Sequence, residues 1–236
     1  MSRWSYHLPI LGYHRIGRLR GDHVPTVSAE SFERQLALLA RFRYRVLPLD
    51  DIIGRLEAAQ PLPRRAAVIT FDDGYEETCT VAWPLLKRFG FPATVFITPG
   101  DIGRPAFLTW DQVREMAGDG VTIGSHTMHH AYLPVVDAAQ LPEELVHSKQ
   151  VLEAQIHRPV HLLSYPIGGY TPEVQAAARQ AGYRGACTTN RATTLATIDR
   201  FALRRIKMTE RDSHPVSLLA KLSGYYDLFR QLKQPG

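Results

Sequence analysis

The chain has no apolar run of the ~18 residues that a membrane-crossing helix needs, so it predicts no transmembrane span. Its N-terminus, Met1-Ser2-Arg3-Trp4-Ser5-Tyr6-His7, is polar, and the apolar segment from Leu8 to Gly12 is too short for a signal-peptide core. Both absences predict a cytoplasmic protein. Cysteine is scarce: Cys79 and Cys187 are too few for a disulfide framework and lack metal-type spacing, so two reduced thiols are expected. No basic stretch interleaved with aromatics and no helix-turn-helix pattern occurs, so nucleic acid is not an expected partner. Internal repeats and low-complexity linkers are missing too, which leaves one continuous domain over 1–236 as the simplest organisation.

What is present suits such a domain. Of the 236 residues, 44% are hydrophobic and 22% charged, enough to bury a sizeable core. The net charge of +5 favours an anionic glycan, a lipid-linked sugar phosphate or a membrane surface among possible partners.

Strand and helix patterns alternate about seven times, which means a parallel sheet wrapped by helices, long enough to close into a barrel. Strands are expected over 9–14, 44–48, 66–71, 93–97, 121–123, 161–165, 185–188 and 201–206. Residues 15–27 read as a loop, and a helix starts near Ser28 or Ser31. Asp50 is expected to cap a short helix through Leu56. Further helices are expected over 78–89, from a capping box at Thr109-Trp110-Asp111-Gln112 to Met116, over 138–157 and over 171–181. An amphipathic helix over 216–232 closes the chain, packed on the barrel wall or touching a membrane.

Chemistry concentrates at strand ends. The strand over 66–71 stops at Asp72-Asp73-Gly74. Adjacent carboxylates oppose each other's ionisation unless a cation or a shared proton relieves them, so one is expected on a metal and one in proton transfer. The strand at 121–123 runs into Gly124-Ser125-His126-Thr127-Met128-His129-His130. His126 and His130 stand four apart, a spacing that puts two imidazoles on one side of a helical turn. Asp73, His126 and His130 would form a two-histidine, one-carboxylate set with positions left open. His14 and the turn Pro166-Ile167-Gly168-Gly169 also fall at strand ends.

Three motifs, Thr70-Phe71-Asp72-Asp73-Gly74, Ser125-His126-Thr127-Met128-His129-His130 and Ser164-Tyr165-Pro166-Ile167-Gly168, resemble those of the polysaccharide deacetylases, carbohydrate esterases with a nodulation-type deacetylase domain. The similarity runs from about His7 to Ile206. It implies a distorted (β/α)7–8 TIM-like barrel and a metal-dependent hydrolase that removes N-acetyl groups from a glycan, releasing acetate. It also implies Asp72 as general base and Asp73, His126 and His130 as ligands of a divalent ion, usually zinc, with cobalt or nickel possible. It further implies that the backbone N–H of Ile167 takes the oxyanion role.

Two departures matter. Many members carry an arginine where Ser164 stands; here Arg204 or Arg205 is expected to supply the guanidinium, and Arg205 resembles an arginine of one subgroup. The late strand that usually ends in histidine is missing, while the segment from Pro9 to His14 looks like that strand moved to the front. This is the arrangement of the permuted subgroup that includes biofilm poly-N-acetylglucosamine deacetylases, and it implies His14 as general acid. His129 is expected beside the ligands rather than among them, and His7, His23, His147, His157, His161 and His214 on the surface or in packing. Trp110, Tyr165, Pro166, Gly168 and Tyr170 are expected to contact substrate, an acetylated glycan or a lipid-linked or nucleotide-linked sugar precursor. The alternatives are an amidase acting on a small amide or imide, and a glycan-binding protein without activity.

Overall fold

Strands buried on both faces read as unbroken apolar runs, and such runs become the staves of a barrel in the computed structural model, which describes residues 8–18, 24–189 and 199–223. In chain order the elements are β1 (Ile10–Tyr13), β2 (Arg15–Ile16), β3 (Thr26–Val27), α1 (Ala29–Arg41), β4 (Arg45–Val46), α2 (Leu49–Glu57), β5 (Ala66–Phe71), α3 (Trp83–Phe89), β6 (Thr94–Ile97), α4 (Trp110–Gly118), β7 (Thr122–Ser125), α5 (Ser148–Ile156), β8 (Leu162–Ser164), α6 (Pro172–Gln180), β9 (Gly185–Thr188), β10 (Leu203–Lys207) and α7 (Pro215–Leu222). The order β1-β10-β9-β8-β7-β6-β5, with β1 also paired to β5, closes seven parallel strands into a ring.

The seam explains the placing of the first strand. β1 lies between β10, with Ile10 opposite Arg205, and the second half of β5, with Tyr13 opposite Phe71. The first residues of β5 pair instead with β4, Arg45 opposite Ala66, so β4 is a short extension outside the ring.

Side chains alternate across each strand. Ile10, Val68, Phe96, Leu162, Cys187 and Leu203 fill the barrel, and Leu49, Ile52 and Ile53 of α2 plug its N-terminal end. The plug fits closely, since a Cβ added at Gly185 would lie 2.3 Å from the Ile53 side chain. Leu11, Ile69, Phe71, Val95, Ile123 and Leu163 point outwards into a second core shared with the helices, where Tyr13, Phe32 and Phe71 pack ring to ring.

Several expectations change. Residues 15–27 are not wholly loop, because β2 and β3 pair in parallel. Asp50 does not cap α2; Pro48 occupies that position without a side-chain bond, and Asp50 sits in the first turn. The helices expected over 78–89 and 138–157 contain wide turns at Thr78–Ala82 and Glu143–His147. The Thr109 and Gln112 capping box forms as expected. Of the helix expected over 216–232, α7 is seen with Leu218 and Leu222 buried against the core, and 224–236 lie outside the described residues. Among the described residues no helix is long and apolar enough to cross a membrane.

Candidate active site

The alternation that fills the barrel also delivers its polar end. Inward positions along β5 continue past Val68 and Thr70 to Asp72, and those along β10 pass from Leu203 to Arg205. The two meet: Arg205 Nη1 donates to Asp72 Oδ1 at 2.6 Å and Nη2 to Oδ2 at 2.5 Å, with only 2% of Asp72 and 4% of Arg205 exposed. Nη2 also donates to Ser164 Oγ at 2.9 Å, so the small residue at the end of β8 leaves room for a guanidinium arriving from β10. Of the two candidates, Arg205 and not Arg204 makes this contact. Burial opposes ionisation of Asp72, but Arg205 and His126 overcome it and hold the carboxyl far below the usual range.

Asp73 takes the left-handed conformation (φ 72°), as does Gly74 (φ 80°), and the sharp turn carries its carboxylate to the histidines. Asp73 Oδ1 is buried without a hydrogen-bond partner and stands 3.4 Å from Nε2 of both His126 and His130. The three donor atoms lie within 4.8 Å of one another. His126 Nδ1 donates to the Ser164 carbonyl at 2.7 Å, which leaves Nε2 as the lone-pair nitrogen facing Asp73. Burial pushes the His126 pKa down, but Asp72 and Asp73 reverse this and raise it, so the pair of acids favours a positive charge at this point. An orphaned carboxylate oxygen facing two imidazole nitrogens fits a divalent cation.

The histidines converge by a different route from the one expected. Residues 126–130 are not a helical turn; Thr127 (φ 65°) and His130 (φ 56°) are left-handed, and the loop folds back on itself. Glu144 holds that loop. Its carboxylate, buried at 7% exposure, accepts from Met128 N–H at 2.9 Å and His129 N–H at 3.0 Å, and pairs with His129 Nδ1 at 2.9 Å. His129 is thus turned away from the ligand cluster.

Two adjoining cavities of about 480 and 310 Å³ open above Asp72, sharing His14, Ile167 and Arg205 in their walls. His14 Nδ1 is buried with no partner, and burial lowers its pKa despite Asp72 and Asp73 nearby. Ile167, a β-branched residue at φ 59°, is strained and 69% exposed. The turn's own bonds run from Gly168 N–H to Tyr165 O and from Gly169 N–H to Pro166 O, leaving the Ile167 N–H out of them. Thr189 and Thr188 hydroxyls hold the carbonyls of Ile167 and Gly168 at 3.2 and 2.6 Å.

The expected contact residues divide. Gly168 lines the larger cavity, whereas Pro166, buried in the same turn, lines neither. Tyr165 also lines the larger cavity, although it is almost wholly buried and its hydroxyl donates to the Phe201 carbonyl. Tyr170 stacks on Tyr165 and Trp110 packs against the outer core; neither lines either cavity. The aromatics in the wall of the larger cavity are Tyr75 and Tyr165, while Tyr132, 42% exposed, packs so closely on Gly169 that an added Cβ would lie 2.1 Å from its ring. His7 and His23 lie outside the described residues.

The profile of the family described as polysaccharide deacetylase matches residues 59–186, more than half the chain. YxkH of Bacillus subtilis (strain 168), which bears the provisional name polysaccharide deacetylase, is 32% identical over 202 residues, 86% of this chain and 71% of that protein. The poly-beta-1,6-N-acetyl-D-glucosamine N-deacetylase of Escherichia coli (strain K12) is 32% identical over 123 residues, 45% of this chain but only 18% of that enzyme. Among solved structures, the Streptococcus pyogenes deacetylase PplD in complex with acetate superposes with a TM-score of 0.84 at 26% identity, covering 91% of this chain and 97% of that one.

Proposed function

The chain belongs to the polysaccharide deacetylase family, and from that premise we propose that it is a metal-dependent hydrolase that removes N-acetyl groups from a glycan or glycan precursor and releases acetate. The observation that carries the reading is the juxtaposition of two acids with opposite employment. Asp73 faces two imidazoles with an unpartnered oxygen, while Asp72 beside it is clamped at both oxygens by Arg205.

Asp73, His126 and His130 would hold the cation, zinc in the first instance, with cobalt or nickel as alternatives. When bound, it supplies Lewis acidity towards the acetamide carbonyl and acidifies the attacking water. Asp72 accepts the water's proton at its carboxylate, and Arg205 keeps that carboxylate ionised and aimed at the expense of basicity. The Ile167 N–H donates to the oxygen that becomes negative as the carbonyl turns tetrahedral. His14, which lines both cavities beside Asp72, passes a proton from its protonated imidazole to the departing amine nitrogen.

The substrate class is an acetylated glycan, and lipid-linked and nucleotide-linked sugars fall within it. The E. coli and S. pyogenes relatives, named for N-acetylglucosamine deacetylation and for a complex with acetate, support this choice over a small cyclic amide. Acetate release from acetylated chito-oligomers, compared with small amides and imides, tests it. Asp72→Asn should abolish release while zinc content by elemental analysis stays at the wild-type level. Undiminished turnover by that variant, or activity confined to small amides, overturns the proposal.

A further inference from the structure

The smaller cavity has a chemistry that the hydrolytic centre does not use. Strand alternation that turns Leu203 and Arg205 into the barrel turns Lys207 the same way, one layer nearer the mouth. Lys207 lines the cavity of about 310 Å³ together with Gly12, His14 and Asp72. Gly12, opposite Lys207 across the β1–β10 ladder, leaves the space open, since an added Cβ would point at the Arg205 side chain 3.6 Å away.

The charge balance of this lobe is one-sided. Among the described residues its lining carries Arg204, Arg205 and Lys207 against a single acid, Asp72, and that acid is spent on Arg205. Lys207 is exposed and has no carboxylate partner among the described residues, while its own carbonyl is taken by Lys221 Nζ at 2.6 Å, which fixes the backbone from which the ammonium projects. A cation held at the wall of a concave site, next to the proposed proton donor, is placed to meet an anion on whatever group lies beside the acetamide.

We propose that this lobe is a subsite for an anionic substituent on the substrate, a carboxylate or a phosphate, paired by Lys207 Nζ. The proposal rests on the deacetylase reading above and deepens it: the preferred glycan is negatively charged next to the sugar that loses its acetyl group. The net charge of +5 agrees with such a partner.

Matched pairs test it on the metal-loaded protein. Acetate release is measured from N-acetylmuramic acid and its methyl ester, and from N-acetylglucosamine 6-phosphate and N-acetylglucosamine. Wild type should favour the charged member in kcat/KM by roughly three- to tenfold, between a screened surface pair and a buried charge-assisted bond. The preference should shrink as salt rises and collapse towards unity in Lys207→Gln. A preference seen with only one pair sustains the subsite and assigns its anion to carboxylate or to phosphate. Equal rates within each pair, or an unchanged preference in Lys207→Gln, overturn the subsite. If none of these sugars releases acetate, the deacetylase reading fails on them, and binding by calorimetry decides the subsite. Tighter binding of the charged members that disappears in Lys207→Gln upholds it, and equal binding removes it.

Discussion

Replacing the Arg205 guanidinium by an uncharged side chain of similar length, Arg205→Met, should cost about 3–5 kcal/mol of folding stability, because it strands the Asp72 carboxylate in the barrel without a counter-charge. Burial alone raises the pKa of Asp72, and in the wild type the guanidinium, with help from His126, reverses that effect. The wild-type contribution is therefore present above the unfolded value of ~4 and is lost only as pH falls through the depressed folded value. In the variant the sign turns over. With its folded pKa raised, Asp72 holds a proton that the unfolded chain has released, so stability declines as pH climbs above ~4. The deficit against wild type should thus be smaller near pH ~4.5 than at pH ~7, as read from urea unfolding of chelator-treated protein. Arg205→Met should also lose acetate release, with the acid limb of its residual pH–rate profile moved upwards. The double variant Arg205→Met/Asp72→Leu should recover most of the lost stability, since an apolar pair in place of a buried ion pair is often neutral or better, yet remain inactive. A single variant within about 1 kcal/mol of wild type at both pH values would refute this account of the pair.

Other perturbations reach the rest of the site. His130→Ala should leave a folded protein that loses its zinc on dialysis, by elemental analysis. Glu144→Ala, which frees two backbone N–H groups and His129 from their common acceptor, should weaken zinc binding by about 10–100-fold in chelator competition, although Glu144 is no part of the ligand set. Cys187 is fully buried and its thiol is pushed up to about 12 by burial, so at pH ~8 it should resist a thiol reagent until the protein is unfolded. Half-buried Cys79 should react first.

Much of this architecture is legible in the chain because parallel strands advertise themselves. The run from Ala66 to Phe71 is a strand with the expected bounds, and the period of two beyond it places Asp72 inside the barrel. Arg205 is readable only as one of two candidates, because the sequence places both Arg204 and Arg205 near the end of a late strand without saying which of them faces the barrel. The histidine loop is not legible in the same way. Spacing by four implies a helical turn, but Thr127 and His130 adopt left-handed backbones that no local preference announces. Glu144 leaves no signal at all, since its partners lie about one helix upstream and are mostly main-chain groups. Trp110 and Tyr170 stand outside the linings of the two cavities for a simpler reason: aromatic side chains near a strand end have an outer core to pack into, and these two do.

The position of β1 in the ring carries a consequence for biosynthesis. Its partner β5 is made within the first third of the chain, but its other edge waits for β10. Until that last stave emerges from the ribosome, Ile10, Leu11 and Gly12 present an unsatisfied ladder edge on which a neighbouring nascent chain can add. The same delay is a safeguard: the guanidinium that disciplines the proposed base rides on β10, the last strand among the described residues, so a chain not yet made that far has no competent hydrolytic centre.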